Sequence, residues 1–251
     1  MTNTYTGDTN ERREPHGQGV YEFADGARYE GQWKDGKQHG QGVHEFASGN
    51  RYDGHWKDGK QHGQGVYEHA SGDLAGNHYD GHWKDGKKHG QGVYEYASGD
   101  YAGGRYDGQF KDDKRNDQGV YEYPNGDRYD GHWKDGKKHG QGVYEHASGD
   151  LAGNRYDGHW KDGKQHGQGV YEYADGDRYE GQFKDNLFHG RLFTTRSDGS
   201  GFTTLWENGK LVLTEDLQSM SRDELTLEVL KLRERVNQMD IFDQEEDSEP
   251  N

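Results

Sequence analysis

The chain has no cysteine, so neither a disulfide framework nor a thiolate metal site is available to it. It has only 3 prolines, and no apolar run approaches the ~20 residues of a membrane span. Met1 to Glu14 is polar and lacks the apolar stretch of a signal peptide. These absences lead us to expect a soluble cytoplasmic protein whose contact with any membrane is peripheral. Aliphatic side chains are scarce as well. Hydrophobic residues make up 27% of the chain and aromatic residues 13%, which argues against a thick globular core. Positive charge is in deficit, with 31 Lys and Arg against 47 Asp and Glu and a net charge of −16. That balance argues against nucleic acid as a partner and against unaided adhesion to anionic lipid.

What the chain has in excess is glycine, 41 residues, and a repeat. Tyr-Asp/Glu-Gly-x-Trp/Phe-Lys-Asp recurs seven times, led by Tyr29, Tyr52, Tyr79, Tyr106, Tyr129, Tyr156 and Tyr179. The separations are 23 or 27 residues, the longer ones arising from the inserts Leu74-Ala75-Gly76-Asn77, Tyr101-Ala102-Gly103-Gly104 and Leu151-Ala152-Gly153-Asn154. A fixed period marks stacked identical units that contact mainly their neighbours.

Within one unit, Tyr29, Gly31 and Trp33 alternate with Glu30, Gln32 and Lys34, the period of a half-buried strand. Asp35-Gly36-Lys37 is a turn signal, and a second alternating run follows from Gly40 to Phe46. Each unit therefore reads as a β-hairpin. Gly31, Gly54, Gly81, Gly108, Gly131, Gly158 and Gly181 form a column without side chains, over which aromatic rings can lie. Degenerate units at Tyr5 and Phe202 bring the expectation to nine hairpins and about eighteen strands.

The expected fold is all-β, an elongated single antiparallel sheet of stacked hairpins with one short C-terminal α-helix. We divide it into an irregular N-terminal cap (1–15), the repeat array (16–213), an amphipathic helix (214–242) and an acidic disordered tail (243–251). Ser221-Arg222-Asp223-Glu224 reads as a capping box, and Leu225, Val229, Leu232, Val236 and Met239 follow as an apolar stripe. This stripe is expected to pack onto the end of the sheet, or to serve oligomerisation.

Tyr52, Gly54, Trp56, Gly59, Lys60, His62, Gly63 and Gly65 carry the pattern Tyr-x-Gly-x-Trp-x-x-Gly-Lys-x-His-Gly-x-Gly, which resembles the MORN (membrane occupation and recognition nexus) repeat. The resemblance covers roughly residues 16–210 and implies extended antiparallel sheets of hairpins. Similar arrays occur in junctophilins, plant phosphatidylinositol phosphate kinases, radial spoke head proteins and protozoan cytoskeletal scaffolds. The resemblance thus implies assembly or tethering near membranes, in a cytoskeletal or ciliary setting, rather than catalysis. In the plant kinases catalysis lies in a separate segment after the repeats, and no such activity is expected here. Two units depart from the pattern, with Asp113 and Asn116-Asp117 in one, and Asn186, Leu187 and Leu192 in the other.

Other chemistry is not evident in the residues. His39, His62, His89, His139, His166 and His189 share one repeat position. Adjacent hairpins would hold them ~10 Å apart, too far for shared ligation. No cofactor or metal is expected, and no nucleophile or acid–base dyad stands outside the repeat. We expect a non-enzymatic scaffold that holds protein partners on its aromatic face, with Tyr52, Trp56, Tyr79, Trp83, Tyr129, Trp133, Tyr156 and Trp160 as the candidate contacts. The alternative is a peripheral membrane module. It would bind anionic phospholipid or phosphoinositide head groups through a lysine-rich edge at Lys87, Lys88, Lys137 and Lys138.

Overall fold

In the computed structural model of the protein, the described residues are 2–214 and residue 230. The expected C-terminal stripe (Leu225, Val229, Leu232, Val236, Met239) and the acidic tail lie outside the described residues. The chain is all-β, with eighteen antiparallel strands and no helix as long as seven residues among the described residues.

It divides into two compact units, Met1–Pro124 and Asn125–Asn251. The first holds β1 (Thr4–Thr9), β2 (Pro15–Glu22), β3 (Arg28–Lys34), β4 (Lys37–Glu45), β5 (Arg51–Lys57), β6 (Lys60–Glu68), β7 (His78–Lys84), β8 (Lys87–Glu95), β9 (Arg105–Lys111) and β10 (Lys114–Glu122). The second holds β11 (Arg128–Lys134), β12 (Lys137–Glu145), β13 (Arg155–Lys161), β14 (Lys164–Glu172), β15 (Arg178–Lys184), β16 (Leu187–Thr195), β17 (Gly201–Glu207) and β18 (Lys210–Thr214). Within each unit every strand pairs antiparallel with its neighbours in sequence. The four-residue inserts leave this pairing untouched. Gly65 faces Gly81 across an insert as Gly42 faces Gly54 without one. Two of the inserts are entered through short 3-10 turns, Gly72–Leu74 and Gly149–Leu151.

The hairpin turns follow from their residues. Asp35 and Gly36 both take positive φ, 48° and 78°, the two-residue loop whose twist suits antiparallel strands. A third left-handed residue lies in the following strand at Gly40 (φ 59°), where pairing shifts between Gly31–Gly42 and Trp33–Gln38. This bulge recurs in the other repeats. In the departing unit, Asp113 and Asp117 take the same left-handed conformations (73° and 59°), so β9–β10 keeps the register shift of its neighbours. Asp tolerates this region better than most residues, and the substitution costs the repeat nothing in geometry.

The repeat tyrosines and tryptophans alternate to one face and are buried. Each repeat tyrosine ring but that of Tyr179 lies over a facing pair of strand glycines. A Cβ built on Gly142 would stand 2.6 Å from Cε2 and Cζ of Tyr129. The hydroxyl then donates to the carbonyl three residues on, as from Tyr29 to Gln32 (3.0 Å), Tyr52 to His55 (3.0 Å) and Tyr129 to His132 (2.9 Å). The same ring meets two tryptophans edge-on, one from its own repeat and one from the next. Tyr52 lies 5.0 Å from Trp56 and 5.3 Å from Trp83. Trp56, Trp83 and Trp160 each donate an indole N–H, at 3.0 Å, to a glycine carbonyl of the preceding repeat (Gly42, Gly65 and Gly142). T-shaped pairs of this kind add ~0.5–1.5 kcal/mol beyond the area they bury.

Tyr5 repeats the arrangement within the expected irregular cap. Its hydroxyl donates to Asp8 at 2.7 Å and its ring meets Trp33 at 5.7 Å. The other departing unit alters it. Leu192 replaces the glycine that would face Gly181 and is fully buried, and Tyr179 stacks at 22° on Phe188, which stands where other repeats carry Gln, Lys or Arg.

A second link ties neighbouring hairpins together along the edge opposite the Asp-Gly turns. Asn77, fully buried, accepts from the backbone N–H of Ala97 and Ser98 and donates to Tyr94 Oη. Asn50, Asp127 and Asn154 make the equivalent bridges to Ala70 and Tyr67, Ala147 and Tyr144, and Ala174 and Tyr171. The outer face is polar, with pairs such as Arg51–Asp53 (2.7 Å). These are half-exposed, so each contributes only about 0–1 kcal/mol.

Two measurements check this packing. Gly142→Ala should lower stability in chemical denaturation by ~1–3 kcal/mol, the cost of forcing a methyl group beneath the Tyr129 ring; unchanged stability would contradict the covering of the glycines. Burial pushes the phenols of Tyr29, Tyr52, Tyr79, Tyr106 and Tyr156 well above the ordinary tyrosine range and that of Tyr171 up to about 12. Because the folded values are raised, this stabilisation is complete below the unfolded tyrosine pKa of ~10 and declines as pH rises above it. An alkaline titration followed by phenolate absorbance should show these tyrosines ionising together with unfolding rather than before it.

Candidate functional site

The eight rings proposed from sequence as partner contacts occupy the buried stack. None of Tyr52, Trp56, Tyr79, Trp83, Tyr129, Trp133, Tyr156 and Trp160 is more than 8% exposed. Their faces are taken by one another and by glycine, as in Tyr129–Trp160 at 5.4 Å and Tyr156–Trp160 at 5.2 Å. The rings of this face that solvent reaches form a second row. In the first unit it consists of Tyr21, His44 and Tyr67, flanked by Phe23, Phe46, His69 and Tyr96, all half-buried, while Tyr94 in the same row is buried. The alternation that places Tyr29 inward also places His44 and Phe46 inward.

The lysine-rich edge is divided by that same alternation. Lys87 and Lys137 are exposed, whereas Lys88 and Lys138 turn onto the aromatic face. Lys88 Nζ lies 4.3 Å from the centre of the Tyr94 ring and 5.7 Å from that of Phe110. Lys138 Nζ lies 4.5 Å from Trp160 and 4.7 Å from Tyr144, and its side chain is buried. Arg115 occupies the matching place over Tyr121 at 4.9 Å. The expected four-lysine edge is therefore a correction: two of the four are cation–π partners of the stack, because successive residues of a strand face opposite sides.

A cavity of about 240 Å³ opens on this face of the first unit, between Tyr67, Tyr94 and Trp83 and beside Gln61, His69 and Lys88. Burial, and then the Lys88 ammonium, hold the His69 imidazole below its ordinary pKa, and burial does the same for His44. Both are neutral at pH 7, so Lys88 carries the positive charge of the cavity.

The repeat histidines lie on the Asp-Gly turn edge, each facing the aspartate of the next turn. His39–Asp58, His62–Asp85, His89–Asp112 and His139–Asp162 are all separated by 3.8 Å. Among the described residues no three His, Asp or Glu side chains come together as metal ligands would. One acid–imidazole contact is enclosed, Asp127–His146 at 3.3 Å, with Tyr144 Oη donating to the same carboxylate. No helix of the described residues is long and apolar enough to cross a membrane.

Sequence reasoning missed the bridging Asn/Asp position and the inward turn of Lys88, Arg115 and Lys138. Both had a signal. Asn50, Asn77, Asp127, Asn154 and Asp177 each immediately precede the Arg/His-Tyr pair, and Gln38, Gln61, Lys88, Arg115, Lys138 and Gln165 each precede the His-Gly bulge or its substitute.

Comparison with known proteins agrees with this repeat. The MORN repeat family matches residues 14–28, 29–51, 52–74, 79–101, 106–128, 129–151, 156–178 and 179–191. A search of curated proteins finds no match to the chain. Among solved structures, the chain is similar to the TCP10 domain of Danio rerio CPAP in complex with a peptide of STIL. That match has 14% identity and a TM-score of 0.33, covering 84% of this chain and 99% of that one. It is also similar to the SAS-4 TCP domain of Drosophila melanogaster in complex with a proline-rich motif of Ana2. There the identity is 10% and the TM-score 0.35, covering 80% of this chain and 90% of that one. With eight matched segments spanning more than half of its length, the chain belongs to the MORN repeat family.

Proposed function

We propose that this chain is a non-enzymatic scaffold that holds a protein partner on the aromatic face of its first unit, in a cytoskeletal or ciliary assembly as the family suggests. The observation that carries this reading is the cavity beside Lys88, where the half-buried Tyr67 and His69 rings line an opening around a single cation. Rings of this kind contribute large contact area at little entropic cost, and tyrosine is enriched where binding energy concentrates. The neighbouring stack is rigid, so little ordering accompanies binding. A partner segment carrying an apolar side chain beside an acidic one fits the rings and the ammonium together.

The membrane reading has less support. Of its four lysines only Lys87 and Lys137 lie exposed along the turn edge, Lys88 and Lys138 being turned onto the ring face, and the net charge of −16 opposes an anionic surface. Its supporting feature is the run of exposed lysines along the turn edge, and the experiment below separates the two readings.

A photo-crosslinking residue at Gln61, on the ring face, should capture a protein from native extract, whereas the same residue at Gln64, on the outer face, should not. Combining Tyr67→Ala with Lys88→Gln should weaken binding of the captured partner at least ~10-fold, the scale of an interface hot spot, with folding checked by circular dichroism. Binding to phosphoinositide vesicles that persists at physiological salt, and is lost on changing Lys87 and Lys137 to Glu, would overturn the scaffold reading in favour of the membrane one.

A further inference from the structure

The hairpins of the first unit meet one another through a single repeated junction. At each of the four junctions six residue pairs run without a register shift. The second strand of one hairpin lays a Gly-x-Gly-x-ring pattern against the first strand of the next. Gly17, Gly19 and Tyr21 face Trp33, Gly31 and Tyr29, and Gly63, Gly65 and Tyr67 face Trp83, Gly81 and Tyr79. β1 is a first strand of the same kind, yet among the described residues it pairs with β2 alone. Its other edge is open. Tyr5 is half-buried and Gly7 exposed, whereas Tyr29, Gly31, Tyr52 and Gly54 are buried.

Natural edge strands are usually blunted by proline, lysine or a bulge, because unpaired N–H and C=O groups template a further strand. β1 has none of these devices. Its sequence, Thr-Tyr-Thr-Gly-Asp-Thr, contains no proline or lysine. The extra residues of its register shift fall in β2, which runs from Pro15 to Gly19 where β1 runs only from Gly7 to Thr9. Its one charged residue, Asp8, accepts the Gln18 N–H at 3.4 Å and is thereby held toward β2. Thr9 stands where Trp33 and Trp56 stand in later hairpins, so no ring of its own strand fills the place beside Tyr5.

We infer that the open edge of β1 is a docking site for a hairpin of another array of this same repeat, which joins through its Gly-x-Gly-x-ring strand and continues the sheet. The occupant follows from the junction itself. That strand would set its two glycines opposite Thr9 and Gly7 and its ring opposite Tyr5, as four strands of this unit already do for β3, β5, β7 and β9. Backbone pairing supplies the affinity and the pattern supplies the register, as in other recognition by strand addition. A second copy of this chain lacks the match. Its β18 contains no glycine, and β1 laid antiparallel on β1 with Gly7 facing Gly7 would put Tyr5 opposite Thr9 instead of a ring. The inference does not rest on the partner proposed for the cavity, since five strand spacings, ~24 Å, lie between β1 and β6.

The test uses the full chain and a synthetic peptide of residues 51–68, which comprises β5, its turn and β6. Hydrogen exchange read by NMR should show amides within Thr4–Thr9 slowed at least ~10-fold by excess peptide, with those of β7 unchanged. A Gly65→Val peptide should give no protection, because a Cβ at Gly65 stands 2.6 Å from Cε2 of Tyr52 and the hairpin cannot close. A Val66→Thr peptide, altered on the outer face, should protect as the parent does. Absence of protection at millimolar peptide, or equal protection by the Gly65→Val peptide, overturns the inference. Protection without peptide that grows with protein concentration also overturns it, since the edge would then be filled by a second copy.

Discussion

Everything in this structure depends on a tyrosine ring lying flat over two glycines. The facing pair, such as Gly54 and Gly65, has no side chain, so the ring of Tyr52 sits against backbone and is fully buried within a single-layer sheet. A sheet of this kind has no second layer to bury against, and most such sheets would expose one apolar face to water. Here the second layer is the ring itself. Its hydroxyl reaches past the glycines to the His55 carbonyl, at the point where the bulge shifts the pairing of the two strands, so the polar end of the buried ring is satisfied by backbone.

The tryptophans convert this local device into a cooperative one. Trp83 closes the edge of the Tyr52 ring while donating its indole N–H to Gly65 in the preceding repeat, so each unit completes its neighbour. Asn50, Asn77, Asp127 and Asn154 do the same along the opposite edge, each accepting a backbone N–H of the neighbouring turn and bonding a tyrosine hydroxyl. Coupling between nearest neighbours is the energetic form expected of stacked repeats. It also has a functional consequence. Because the repeat rings satisfy one another, the partner proposed above would have to be met by the second row and by the cations that lie over it.

Much of the fold was legible because it is written in short-range pattern. The alternation of Tyr29, Gly31 and Trp33 gives the strand and its buried face, and Asp35-Gly36 gives the turn. The glycine column signalled ring cover before any coordinate, and Tyr5 and Phe202 marked the end hairpins. The site was less legible. Tyr52 and Trp56 were conspicuous because they repeat, and repetition marks the residues that hold the array together rather than those left free for a partner. Lys87 and Lys88 read as one basic patch in a string of letters, but a strand sends them to opposite faces. Asn77 looked like part of an insert, and only long-range pairing with Ala97 and Ser98 reveals it as a bridge.

The central claim is that rings of adjacent repeats stabilise each other directly. The most direct test is a double-mutant cycle in chemical denaturation on Tyr129 and Trp160, whose rings meet at 5.4 Å and 83°. With Tyr129→Leu, Trp160→Leu and the double variant, a favourable coupling of ~0.5–1.5 kcal/mol is expected between residues of neighbouring repeats. Additivity of the two single effects to within ~0.3 kcal/mol would mean that each ring stabilises only its own hairpin, and would contradict the account.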